Sequence, residues 1–180
     1  MLKYKTNDDQ LTSISIKYSN NLSESLEKIE FEDLKIILKY LLDYVPFIIL
    51  SRGSKELLFA SKYDLDLNEP VFNQLPVKRT MNLLNNKNKK PTLLIFPVVN
   101  LNENEKFVNV SGAGDSCSSG IMSGILNGYR LSTCIYNGLF AAKLALMTRN
   151  NVSADLEKIH HNDLEKFAFS NKDRIRKLIL

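Results

Sequence analysis

The sequence is short of several things. Among its 180 residues there is no tryptophan, two histidines, and only two cysteines, Cys117 and Cys134. Two cysteines are too few for a disulfide scaffold, so a reducing, cytoplasmic compartment is the simplest expectation. No run of about 18 uncharged apolar residues occurs, which excludes a membrane-spanning helix. The opening MLKYKTNDDQ lacks the apolar core of a signal peptide. A strong excess of one charge is also missing: 24 Lys and Arg are scattered among 20 Asp and Glu, for a net charge of +4. The densest basic block, Lys87 to Lys90, lies in an Asn-rich stretch beside Pro91 with no interleaved aromatics, and it reads as a solvated loop rather than a nucleic-acid patch. His160 and His161 have no Cys or acidic residue at metal-ligand spacing, so they read as surface residues near a helix start, and no metal site is assigned.

What remains is an ordinary globular composition, 44% hydrophobic and 24% charged, with enough chain for one domain that buries roughly 70% of its unfolded surface. Residues 1–23 are polar and poorly periodic, with a short strand expected at Ile14–Tyr18. Ser25 is placed to cap a helix from about Leu26 to Tyr44, which Pro46 stops. Phe47–Leu50 is a continuous apolar run of strand length, which suits a strand covered on both sides in a parallel sheet. Ser51–Ser54 makes a turn, and Leu57–Ala60 returns beside the first strand. After a long polar connection, Thr92–Pro97 and Phe107–Val110 are further strand candidates. Helices are expected over Ser116–Asn127 and Ser132–Thr148, the latter capped by Ser132 or Thr133, and again through Leu164–Phe169 and Ile175–Leu180. Gly120, Gly124 and Gly128 recur on one face, where they would let a helix pack closely on a sheet. The alternation of strands with helices favours an α/β layered domain.

One segment carries chemistry. Val108-Asn109-Val110 delivers the chain to Ser111-Gly112-Ala113-Gly114-Asp115, and a helix opens there. Glycines let backbone N–H groups converge, and a helix N-terminus adds partial positive charge, a combination that favours phosphate. A carboxylate immediately after the glycines is placed to accept a proton from a hydroxyl nucleophile during phosphoryl transfer. The same residues also satisfy a plainer account, with Asp115 favoured by the helix dipole and the glycines serving only the turn. The pattern is neither the phosphate loop nor the dinucleotide fingerprint. Cys117 has no His or Asn partner in evidence and is not read as a nucleophile.

Ser111-Gly112-Ala113-Gly114-Asp115-Ser116 resembles the C-terminal signature of the ribokinase-like (PfkB) carbohydrate and nucleoside kinases, roughly Asp-Thr-x-Gly-Ala-Gly-Asp-x-Phe before a helix rich in small residues. Ile48–Gly53 resembles that family's strand ending in Thr-x-Gly, Leu57–Ala60 its following strand, and Gly138–Thr148 its Ala-rich helix. The resemblance spans about residues 45–155. Asn109-Val110-Ser111, Gly138-Leu139 and Asn151-Val152-Ser153 look most like its pseudouridine kinase branch.

The resemblance implies a partial three-layer α/β fold with a mostly parallel sheet, in which residues 25–180 form a nucleotide-binding part and 1–24 a poorly defined N-terminal segment. It implies transfer of a phosphoryl group from ATP, with Mg²⁺, to a hydroxyl of a small sugar or nucleoside. Asp115 takes the place of the catalytic base, and Gly112, Ala113 and Gly114 that of the anion hole. Ser51 and Gly53 match the nucleotide-binding Thr-x-Gly, and Gly138 and Ala142 lie where the family packs against adenine. Asn109 stands where the family has Asp, which calls its monovalent-cation site into question. Lys55-Glu56 replace a second glycine, and Cys117 replaces Phe. Asn21-Leu22-Ser23-Glu24 matches the family's Asn-x-x-Glu, which helps position Mg²⁺, but so short a pattern arises easily in an Asn- and Glu-rich chain, and a plain helix start with Glu24 near the cap is the favoured account. No N-terminal Gly-Gly sugar motif is present, and family members are much longer. The alternative expectation is therefore a nucleotide-binding or interaction module without catalysis. No membrane or nucleic-acid partner is expected, and the sequence does not specify an oligomer.

Overall fold

The computed structural model describes residues 2–19, 29–70, 90–150 and 153–180. The Asn21–Glu24 pattern, the Ser25 cap, Lys87–Lys89 and the Asn151-Val152 pair lie outside the described residues. The chain divides into two compact units, the first made of Met1–Asp64, Asn86–Ile95 and Lys177–Leu180, the second of Leu65–Asn85 and Phe96–Arg176. The α/β expectation holds: helices accompany a four-stranded sheet of order β1-β2-β3-β4, where β1 is Phe47–Ser51, β2 Glu56–Ser61, β3 Thr92–Pro97 and β4 Arg176–Ile179.

In the first unit, helix α2 (Phe31–Leu41) forms because Leu34 and Leu38, joined by Leu42 just past its end, repeat every four residues on one face. All three are 2% exposed and pack on Leu58, Ala60, Leu93 and Ile95, the alternate residues of β2 and β3. The residues between these, Leu57, Phe59 and Leu94, are also buried. That two-sided burial explains why the strands read as continuous apolar runs rather than as alternation. A mostly parallel sheet does not describe the first hairpin, however. β1 and β2 pair antiparallel, from Phe47 opposite Ser61 to Ser51 opposite Leu57, because a turn of only a few residues joins them and a parallel pair needs a long crossover.

Two expectations about the chain ends are corrected. Residues Leu2–Ser19 form helix α1, not a loop with a strand at Ile14–Tyr18. The apolar alternation there spans only five residues, and Ile14 and Tyr18 are equally spaced for one helical face. Ile14 is buried, the Tyr18 hydroxyl donates to Asp33 Oδ2 at 2.9 Å, and Lys17 Nζ pairs with the same oxygen at 2.8 Å. At the other end, the segment expected as a helix at Ile175–Leu180 supplies β4, and Leu180 N–H donates to the Pro91 carbonyl at 2.8 Å. A six-residue apolar tail is too short to hold a helix alone, and the sheet edge offers it backbone partners.

The second unit is built on two helices, α3 (Ala113–Leu126) and α4 (Leu131–Leu146), followed by α5 (His161–Ser170). Gly120 and Gly124 do allow a close approach, but to another helix rather than to a sheet. A Cβ on Gly120 would lie 2.8 Å from Gly138 Cα, and one on Gly124 would lie 2.9 Å from Cys134 Cα. Gly128 serves a different purpose: at φ 71° it turns the chain after α3 in a conformation that glycine adopts freely. Neither Ser132 nor Thr133 caps α4. The helix starts at Leu131, and the amides of Leu131 and Ser132 donate instead to the carbonyls of Glu69 and Leu67, at 3.1 and 3.2 Å. Tyr136 of α4 is buried edge-on between Phe96 and Phe167, with ring centroids 5.9 and 5.1 Å away.

The helix contact gives a direct test. A methyl group on Gly138 would sit 2.4 Å from Ile121 Cγ1 and 2.5 Å from the Cys117 carbonyl. Gly138→Ala is expected to lower stability by about 1–3 kcal/mol, the usual cost of overpacking, read as a drop in melting temperature by circular dichroism.

Candidate functional site

The segment leading to the glycines is an extended loop, not the strand expected at Phe107–Val110. Its amides are committed elsewhere: Val108 N–H and Asn109 N–H both donate to the carbonyl of Leu146, the last residue of α4, at 2.8 and 3.3 Å. The loop thus satisfies a helix end that would otherwise lack donors. Upstream it is pinned by Lys143 of α4, only 8% exposed, whose Nζ lies 2.8 Å from Glu105. The Asn102 N–H and then Lys143 hold the Glu105 carboxyl below the usual carboxylate range.

The turn itself follows from three residues. Asn109 Oδ1 accepts from Ser111 N–H at 3.0 Å, a local bond that bends the backbone. Gly112 then takes φ 77°, where a Cβ would be strained. Ser116 N–H closes the first helical bond onto the Gly112 carbonyl at 2.8 Å, so α3 starts at Ala113 rather than at Ser116. The Ala113 N–H donates to the Val110 carbonyl at 3.3 Å, while Gly114 faces open space, where an added methyl group would meet nothing within 4 Å. The amides of Gly114 and Asp115 are the second and third of the helix, which have no partner within it and point out of its positive end.

Asp115 is exposed and lines a cleft of about 490 Å³ together with Gly112 and Ser116. The cleft continues along α3 past Ser119, Gly120 and Ser123 to Tyr129, with Asn137 and Ala141 contributed by α4. Leu156, Ile159 and Leu164 supply an apolar side. Asn137 also holds the two helices in register, its Nδ2 donating to the Gly120 carbonyl at 2.7 Å.

Of the residues singled out in the sequence, Gly112 and Asp115 meet at the cleft, and Asn109, Ala113 and Gly114 form the turn beside it. Gly138 lies buried in the α3–α4 contact against Ile121 and Cys117, and Ala141, not Ala142, lines the cleft. Ser51 and Gly53 belong to the β1–β2 hairpin of the first unit, where Gly53 turns at φ 57°. There Arg52, 4% exposed, pairs with Glu56 and donates from Nη2 to the Ile29 carbonyl at 2.9 Å. Glu56 is thus half of a partly buried ion pair that ties the turn. Sequence reading missed Tyr129, Asn137, Ser119 and Ser123, although the two serines fall four and eight residues after Asp115, on its helical face. His161 opens α5 half-buried rather than as a free surface residue, its ring centroid 4.1 Å from that of Tyr129.

No family model and no curated protein sequence matches this chain. Among solved structures it is similar to a candidate phosphofructokinase from Staphylococcus aureus, at 13% identity and a TM-score of 0.47 over 94% of this chain and 40% of that one. It is also similar to a candidate sugar kinase from Clostridium perfringens, at 10% identity and a TM-score of 0.43 over 83% of this chain and 35% of that one. The chain therefore spans well under half the length of these two proteins. At such identity and score, neither assigns an activity to it.

Two measurements test this geometry. Gly112→Ala is expected to lower stability by about 1 kcal/mol through backbone strain, while Gly114→Ala raises it by about 0.5–1 kcal/mol, since a helical glycine with open surroundings gains from a methyl; paired urea melts decide. Burial pushes the Cys117 thiol up to about 11 and Cys134 up to about 12. At pH 8 only about one Cys117 in a thousand is thiolate. Both cysteines should resist iodoacetamide in the folded chain and react in urea.

Proposed function

We propose that this chain carries the phosphoryl-transfer site of an ATP-dependent kinase acting on a hydroxyl of a sugar or nucleoside. One observation supports this best: an exposed carboxylate, Asp115, sits in the first turn of a helix, where its own amide and that of Gly114 have no helical partner, and it lines a cleft large enough for a small molecule. The motif's resemblance to the ribokinase-like signature agrees with it. The pseudouridine branch is the acceptor proposed within that class, on the strength of Asn109-Val110-Ser111.

In the proposed reaction the acceptor hydroxyl gives its proton to an Asp115 carboxylate oxygen. The hydroxyl oxygen forms a bond to the γ-phosphorus as the bond from that phosphorus to the β-bridging oxygen breaks, releasing ADP. The amides of Gly114 and Asp115 face the charge spread over the transferring oxygens, and the helix dipole adds to them. Fixed donors of this kind need no reorganisation at the moment of transfer. Among the described residues lining the cleft, Asp115 is the single carboxylate. Magnesium on the nucleotide's phosphates would supply charge neutralisation there.

A second reading, a nucleotide-binding or interaction module without catalysis, is favoured by the apolar residues beside the turn: Phe107 is 58% exposed and Val110 69%.

The test is turnover with ATP, Mg²⁺ and a panel of sugars and nucleosides, using this chain and any longer form that contains it. Asp115→Asn should cut turnover by about a hundredfold or more and leave ATP binding within about twofold. Unchanged turnover in Asp115→Asn rules out the base. ATP binding without turnover by the unsubstituted chain favours the second reading.

A further inference from the structure

Strand β1 of the first unit carries backbone groups that its own fold does not use. It ends the sheet, and among the described residues no strand lies beyond it. The bonds that flank it show which way its backbone faces. Lys62 N–H donates to the Pro46 carbonyl and Arg52 N–H to the Glu56 carbonyl, both at 3.0 Å. Between them the register runs unbroken from Phe47 opposite Ser61 to Ser51 opposite Leu57. Hydrogen-bonded pairs alternate along an antiparallel ladder, so Ile48 and Leu50 turn their N–H and C=O groups toward β2, while Phe47, Ile49 and Ser51 turn theirs outward. Pro46 does not guard this edge, because its carbonyl, and with it the missing N–H, lies on the β2 side.

Open edges are normally blunted by a charge, a proline or a bulge. The run Phe-Ile-Ile-Leu-Ser with its continuous register contains none of these. Ile48 and Leu50 rest on the core beneath α2, and Phe47 stacks on Phe59 with ring centroids 6.0 Å apart, so the strand is held flat from both faces and left open at its side. Just before it, Tyr44 is 70% exposed and Val45 42%, apolar surface of the kind that interfaces cover.

Symmetry selects the occupant. Val45 N–H is committed to the Leu41 carbonyl at 3.1 Å, so a new ladder cannot extend past Phe47, and the outward residues are centred on Ile49. An antiparallel copy of β1, related by a two-fold axis at Ile49, uses every one of them. Ile49 then faces Ile49 of the second copy, and Phe47 faces Ser51 of the second copy. On the opposite face Ile48 meets Leu50 of the second copy. No charges of like sign stand opposite one another, and apolar side chains pair across the strands. An isologous interface has to be self-complementary in this way, whereas an unrelated strand would need no such centring.

We infer that β1 is a homodimer interface, at which a second copy of this chain adds its own β1 antiparallel and joins the two sheets into one, with the two-fold axis at Ile49. The inference does not rest on the kinase reading.

The experiment is sedimentation velocity of the full chain from about 1 to 300 µM, joined to cysteine crosslinking. A short strand pair is a small interface, so half-association is expected at roughly 1–100 µM. Ile49→Pro removes an outward N–H and no bond of the β1–β2 ladder, and should weaken association by about tenfold or more with the circular dichroism spectrum retained. Crosslinking reads the register without depending on that variant. Hydrogen-bonded antiparallel pairs hold their Cα atoms about 5.5 Å apart, within the roughly 4.4–6.8 Å that a disulfide spans. Ile49→Cys should therefore form a covalent dimer in oxidised glutathione. Phe47→Cys alone should not, because the same residue of the second copy lies four positions away, roughly 13 Å. Phe47→Cys mixed with Ser51→Cys should crosslink. Cys117 and Cys134 are buried, so the unsubstituted chain is the uncrosslinked control. A monomer throughout the concentration range overturns the inference. So does a dimer in which Ile49→Cys fails to crosslink, or in which Phe47→Cys alone crosslinks equally fast, since either result places the contact elsewhere or in another register.

Discussion

The close approach of α3 and α4 is the constraint on which the second unit depends. Six of the seven glycines fall between residues 112 and 138, a density that would weaken any isolated helix by up to about 1 kcal/mol per residue. The cost is met by contact. With no Cβ on Gly120 or Gly138 the backbones meet nearly atom to atom, and Asn137 can reach the Gly120 carbonyl at 2.7 Å. A pair of helices fixed this tightly holds the first turn of α3 in place from behind. Asp115 and the amides near it then have a rigid base, which electrostatic stabilisation of a developing charge requires.

The end of α4 does complementary work. Its last carbonyl, on Leu146, takes the amides of Val108 and Asn109, and Lys143 one turn earlier pairs with Glu105. One helix therefore fixes both the partner face of α3 and the loop that feeds the glycine turn. In the first unit a similar economy operates at the β1–β2 hairpin, where the buried Arg52 joins Glu56 and the Ile29 carbonyl. Breaking such a pair leaves a buried charge without its partner, which is far more costly than never having had the pair.

Much of this was legible in the sequence. The apolar runs at Leu57 and Thr92 gave strands buried on both faces, the run at Phe47 gave a half-buried edge strand rather than one covered on both sides, and the Leu34, Leu38 and Leu42 spacing gave a buried helical face. The glycine turn and Asp115 stood out for the same local reasons that shape them. What was not legible depended on distant partners. Ile14–Tyr18 alternates like a strand and becomes helix because Tyr18 and Lys17 reach Asp33. Phe107–Val110 has strand composition, but the amides of Val108 and Asn109 go to the end of α4. The sheet edge, not the tail's own periodicity, makes a strand of residues 176–179. The cleft was hidden because Tyr129, Asn137 and Ile159 come from segments whose approach no local pattern encodes, although the serine spacing on α3 marked one wall of it.

The most direct measurement is a crystal structure of the chain grown with Mg²⁺ and a non-hydrolysable ATP analogue. The predicted result places the terminal phosphoryl group against the amides of Gly114 and Asp115, with the Asp115 carboxylate turned toward the space beyond it. A nucleotide bound elsewhere, with the turn at Gly112 untouched, would contradict it.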